Sequence, residues 1–201
     1  MIGDIVLLNR KKGGWFSSAQ RFFTKMPYTH STFSVGNILG FESVLSADEK
    51  IVIEPVGRYY EEKETDIEIY RLKKKVLPVG FEGALSSAIE SMYYKYANTY
   101  YGFGQVFWFV YRWFMESVLK KNAKKKDNPF KGGIICSELV YLYLEQVCKV
   151  LNKCYPKRDT RRFSVLLHLQ IELNKYTRDT IHAGDIAVII KHNPNIWERV
   201  S

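Results

Sequence analysis

Cysteine is scarce in this sequence: there are three, Cys136, Cys148 and Cys154. An odd number with no C-x-x-C pair fits neither a disulfide scaffold nor a four-ligand zinc site, so at least one thiol is free. Long hydrophobic runs are lacking too. The longest apolar tract, 106–119, is broken by Arg112 and Glu116 and falls short of the ~20 residues a spanning helix needs. The first dozen residues carry charge on both sides of a four-residue apolar run and have no secretory h-region, so export by that route is not expected. The default expectation is a cytoplasmic protein, with attachment at a membrane periphery as the alternative. No repeat appears at the periods of solenoids or propellers. Acidic residues are the minority, 21 against 30 Lys and Arg, which leaves a formal charge of +9.

What is present is ordinary globular material. The 201 residues are 46% hydrophobic and 25% charged, which excludes disordered and collagen-like chains and predicts one domain over 1–201. The aromatic fraction of 15% is high. Strands are predicted at Ile5 to Leu8, Ser31 to Val35, Phe41 to Leu45, Ile51 to Val56 and Asp66 to Leu72, with a hairpin turn over Ser46 to Lys50. Helices are predicted at 15–26, ending before Pro27, at Phe81 to Tyr96, at 105–119 and at Cys136 to Leu151. In the last of these Val140, Tyr143, Val147 and Leu151 share one side. A lysine-rich loop is expected at 120–129, and a final strand at Asp185 to Lys191.

Cys136 opens the clearest helix. Free N–H groups and the helix dipole at that end favour a thiolate, and two preceding glycines let backbone donors approach as an oxyanion site requires. A small buried hydrophobe at a helix start is the plainer reading of the same residue. A thiol nucleophile needs a base, commonly His, oriented by a polar group. His168 sits among leucines, and His182 and His192 sit in or beside turns. His30 begins a strand whose alternation sets it with Thr32 and Ser34, opposite Phe33 and Val35; such a polar face is either exposed or the floor of a site. Glu42 on the next strand or Glu54 one strand later is the candidate third member.

The segments Gly3-Asp4-Ile5-Val6, Tyr28-Thr29-His30, Phe41-Glu42, Tyr100-Tyr101-Gly102, Ile134-Ile135-Cys136-Ser137-Glu138-Leu139 and Gly184-Asp185-Ile186-Ala187 together resemble the permuted papain-like amidases. These are the YiiX/YaeF-like proteins of the NlpC-type superfamily that also contains lecithin:retinol acyltransferase. The order supports the permuted branch: the His strand comes first and the Cys helix last. The resemblance implies an α+β fold with an antiparallel sheet or small barrel packed against helices and the nucleophile at a helix N-terminus. It implies Cys136 and His30 as the catalytic pair, with Glu42 by position as the third residue and Glu54 as a competing alignment. It further implies Tyr101, or its neighbour Tyr100, lining a substrate site beside Ser137.

The implied function is a cysteine amidase or peptidase-like hydrolase, or an acyltransferase, acting on amide or ester bonds through a thioester, with no cofactor and no metal. The expected partners are a peptide, lipidated or acyl substrate and, from the aromatic tract beside the lysine cluster, the periphery of an anionic membrane. Two rivals are a basic nucleic-acid-binding module and a catalytically inactive binding protein. The basic residues lie scattered over three segments without a recognised nucleic-acid motif, which ranks the first of these low.

Overall fold

The computed structural model describes residues 1–11, 18, 21–22, 26–48, 50–62, 64–102, 108, 111, 114–120, 133–155, 159–178 and 181–201. The strand β1 (Ile5–Arg10) buries four consecutive apolar residues, Ile5, Val6, Leu7 and Leu8. A strand apolar on both faces belongs inside a sheet covered on both sides. It runs between β2 (His30–Ile38) and β5 (Thr65–Leu72). β3 (Phe41–Ala47) and β4 (Ile51–Pro55) extend the sheet on one side, and β6 (Trp197–Arg199) pairs with β5 on the other. The six strands follow the order β4-β3-β2-β1-β5-β6, and every pairing is antiparallel. A bulge between Ser34 and Gly36 interrupts the β2–β3 register.

Four helices belong to the larger apolar cluster: α2 (Phe81–Tyr96), α3 (Cys136–Cys154), α4 (Thr160–Leu173) and α5 (Ala183–Lys191). α3 packs against β2, α2, α4 and α5, which makes it the central helix, and α5 also meets β2 directly. Phe33 of β2 stacks on Tyr143 of α3 at 4.3 Å between centroids, and the Tyr143 hydroxyl donates to the Gly3 carbonyl at 2.7 Å. Gly3 has φ 87°, and a Cβ there would stand 2.6 Å from that hydroxyl oxygen, so both backbone and space demand glycine. The next residue, Asp4, is buried and takes two hydrogen bonds from Arg71 at 2.9 and 2.7 Å, which ties the start of β1 to β5.

The opposite face carries a smaller cluster: Val6, Leu8, Val44, Val56 and Tyr59. Tyr59 comes from α1 (Gly57–Glu61), a short helix between β4 and β5.

The helices α1 and α4 and the strand β6 were not expected from the sequence, and one expected strand is a helix. The segment predicted as a final strand over Asp185 to Lys191 is the helix α5. Its apolar run is buried almost all round, and such a run has no period that separates strand from helix. The cap decides: His182 Nδ1 accepts from the Asp185 N–H at 3.2 Å, while the Asp185 carboxylate accepts from the His182 N–H at 3.2 Å. The closing strand is β6 instead. The predicted helices at 15–26 and 105–119 and the loop at 120–129 fall largely outside the described residues; Phe114–Val118 forms a single π-helical turn. Among the described residues no helix is long and apolar enough to cross a membrane.

Candidate active site

Cys136 is the first residue of α3. The strand-like segment before it is fixed by a parallel bridge between Tyr101 and Ile134, and the Ile134 N–H donates to the Tyr100 carbonyl at 3.0 Å. Gly133, at φ 80°, lies so close to this segment that a Cβ would fall 2.4 Å from the Tyr100 oxygen. The close approach seats Tyr101 beside Cys136, and the two side chains share a hydrogen bond. Backbone amides of Ser31 and Ser137 also hydrogen-bond the sulfur.

These donors do not make a resting thiolate. Cys136 is 2% exposed, and burial pushes its pKa up, more than the Ser31 and Ser137 amides pull it down. Burial likewise raises Tyr101 well above the usual tyrosine value, so its hydroxyl keeps its proton as a donor to sulfur. The helix-dipole expectation for Cys136 therefore loses to desolvation, and the resting sulfur is a neutral thiol. The Ser31 hydroxyl, wholly buried on the strand face that meets α3, has no hydrogen-bond partner among the described residues.

His30 is the first residue of β2 and is 3% exposed. Its Nε2 lies 3.0 Å from Ser46 Oγ, and the Ser46 oxygen lies 3.0 Å from the Tyr59 hydroxyl. Tyr59 in turn hydrogen-bonds Glu54, which pairs with Arg58 at 2.5 Å. Burial, reinforced by the Arg10 guanidinium, drives the imidazole pKa down to about 3, so His30 is neutral at physiological pH. Its Nδ1 makes no hydrogen bond among the described residues.

The predicted pair is thus brought to one strand end but not into hydrogen-bond contact. The Ser31 amide that reaches the sulfur belongs to the peptide joining His30 to Ser31. Thiol and imidazole flank that peptide, the thiol on the α3 side and the imidazole on the Tyr59 side. Arg10 exerts its field on Cys136, Tyr101 and His30 alike.

Glu42 takes no part. It pairs in register with Asn37, seven residues along β2 from His30, or about 23 Å at the rise of a strand. Its side chain is 51% exposed and meets the Met1 ammonium at 3.0 Å. Glu54, the competing alignment, is buried and joined to His30 through Tyr59 and Ser46. Of the two tyrosines, Tyr101 reaches the sulfur, whereas Tyr100 is 79% exposed and contributes its backbone. Ser137 offers the sulfur its N–H, but its hydroxyl is committed to the Ile181 carbonyl at 2.7 Å.

The other histidines serve the fold or face outward: His182 caps α5, and His168 and His192 are exposed. Cys148 is buried, with a pKa pushed up to about 12 by burial. Ser46, Tyr59 and Arg10 were not anticipated. Period-two alternation carried one position beyond Val44 and Leu45 would have set Ser46 on the His30 face, but a five-residue helix gives no periodic signal for Tyr59.

Among the described residues no group of three His, Cys, Asp or Glu is placed to hold a metal ion. The fold and site define an α+β protein with a six-stranded antiparallel sheet and a buried thiol at the start of its central helix. No protein-family model matches the chain, and no curated protein matches it.

Proposed function

We propose that the chain is a thiol-dependent hydrolase or acyltransferase of the permuted papain-like kind, with Cys136 as nucleophile and His30 as base. The observation that carries the reading is the placement of the Cys136 sulfur against the His30–Ser31 peptide, with a protonated Tyr101 hydroxyl at the same sulfur. The Cys136 S–H proton passes to His30 Nδ1, the ring nitrogen that Ser46 does not engage, as sulfur attacks an amide or ester carbonyl. The tetrahedral oxyanion draws on backbone N–H groups near Cys136, and the imidazolium returns the proton to the leaving amine or alcohol. Water or an acceptor amine then resolves the thioester, giving hydrolysis or acyl transfer.

Because imidazole and thiol are both neutral at rest, proton transfer is part of the attack, in place of a standing ion pair. Alkylation of Cys136 by iodoacetamide is therefore expected to rise steadily into the alkaline range. A plateau below pH 7 would mean a preformed thiolate and contradict this site.

The substrate class is an acyl amide or ester on a peptide or lipid. From sequence alone, the lysines at 120–126 make an anionic membrane periphery the place to look for it. The test is intact-mass spectrometry after incubation with p-nitrophenyl acyl esters and N-acyl peptides. An acyl adduct mapped to Cys136, lost in Cys136→Ala and kept in Cys148→Ala and Cys154→Ala, is the expected result. An adduct confined to Cys148 or Cys154, or none from any of these substrates, overturns the proposal.

A further inference from the structure

The line His30–Ser46–Tyr59–Glu54 holds four polar residues, each 7% exposed or less, and runs from the start of β2 towards α1. Buried polar groups must share out their protons, and here the count leaves one arrangement. Glu54, ion-paired to Arg58, only accepts. Tyr59 stays protonated, its pKa pushed far up by burial and then by Glu54, and its single proton goes to that carboxylate. Ser46 then serves the Tyr59 oxygen 3.0 Å away with its own proton, and has lone pairs left for His30. Nε2 must therefore be the ring nitrogen that carries hydrogen.

We infer that Ser46, Tyr59 and Glu54 are positioning residues that hold His30 as its Nε2–H tautomer, leaving the Nδ1 lone pair as the only proton acceptor the ring offers. The inference deepens the enzymatic reading and rests on it for the use of that lone pair. All donors point one way, from imidazole to carboxylate, so each bond polarises the next and offsets part of the basicity that burial takes from the ring. Glu54 acts on the ring through two hydroxyls instead of touching it. Arg10, set over the Tyr59 ring at 6.0 Å, keeps a cation close enough to oppose protonation of the imidazole at rest. The result is a base of fixed orientation that is uncharged before the reaction begins.

The test is a long-range proton–nitrogen correlation spectrum of full-length protein carrying [15N]histidine at pH 7, with His30 assigned from single substitutions of the other three histidines. The expected wild-type signal is a pure Nε2–H tautomer. Ser46→Ala and Tyr59→Phe, which keep strand and ring packing, should give a tautomer mixture, and Ser46→Thr should restore the single form by returning the hydroxyl. Acylation of Cys136 should slow roughly ten- to a hundredfold in the first two variants, part of what a positioned base supplies, and recover in the third. Circular dichroism and urea midpoints identify any variant that fails to fold; Ser46→Thr then carries the test through its unchanged tautomer. An Nδ1–H tautomer in the wild type, or a tautomer indifferent to both deletions, overturns the inference. The spectrum needs no substrate, so a correct tautomer in a protein that never acylates Cys136 would uphold the relay and sink the enzymatic reading alone.

Discussion

The two faces of the sheet are built from the same strands yet do opposite work. Towards α3, odd-numbered residues of β1 and β2 such as Ile5, Leu7 and Phe33 join a continuous apolar core that includes Cys136. Towards α1, the even-numbered residues Val6 and Leu8 of β1 join Val44, Val56 and Tyr59 in a five-residue apolar cluster beside the line of hydrogen bonds running from His30 to Glu54. The first face supplies stability through area and packing density, and the second supplies direction through donors and acceptors. Adjacent residues of β2 serve different faces because side chains alternate along a strand, so a slip of one residue would bury Phe33 in the polar line.

The contrast breaks most visibly at Phe33. This residue is wholly buried and stacked on Tyr143, so Phe33→Ala should cost about 3–5 kcal/mol in urea unfolding, the range for aromatic truncation in a core. A loss below about 1 kcal/mol would mean that the α3 face is not the main source of stability.

The polar face should instead reveal itself through pH. His30 is held neutral, its pKa lowered to about 3 by burial and Arg10, against opposing fields from Glu54 and Glu62 and a further lowering by Arg58. The unfolded imidazole has its ordinary pKa near 6.5, so between pH ~6.5 and ~3 the unfolded state binds the extra proton. Stability from this group is complete above pH ~6.5 and is lost as pH falls, with a slope of up to about 1.4 kcal/mol per unit. Urea unfolding of the wild type and His30→Gln from pH 7.5 to 4 measures it. The stability gap between the two should shift by that slope towards acid; a constant gap would show that His30 titrates alike in both states.

The sequence discloses these two faces unequally. The helix predicted at Phe81 to Tyr96 matches α2 end to end, and the Val140-Tyr143-Val147-Leu151 stripe of α3 is buried throughout, because periodic apolar burial is written locally. His30 separating from Phe33 follows from alternation as well. The polar line is less legible because it depends on register and on a short connecting helix: Ser46 reads as a turn residue, and Tyr59 lies in α1, which is too short to carry a period. Glu42 looks right by spacing from His30, yet the antiparallel hairpin sends it to the far end of β2. The α5 segment fails for another reason, since a fully buried apolar run is silent about its period until the His182–Asp185 cap is seen.

A smaller effect separates neighbours directly. Thr32, one residue before Phe33 and on the other face, donates its buried hydroxyl to the Leu45 carbonyl. Thr32→Val keeps the branched shape and removes that single bond, at an expected cost of about 1 kcal/mol. If it matched Phe33→Ala, the division of labour between the faces would be wrong.

The smallest effect is expected at Glu42, where sequence spacing and three-dimensional position disagree. Its carboxylate is half exposed and, among the described residues, pairs with the Met1 ammonium across the hairpin end, a surface pair worth about 0–1 kcal/mol. Glu42→Gln should therefore leave both the His30 tautomer and Cys136 acylation unchanged and move stability by less than about 1 kcal/mol. Glu54→Gln removes the carboxylate that terminates the His30 line, so it should disturb the tautomer even where folding is kept. Measured side by side in the same spectrum, the two substitutions decide which carboxylate the imidazole senses: a response to Glu42→Gln alone would reverse the assignment and with it the polar role given to the α1 face.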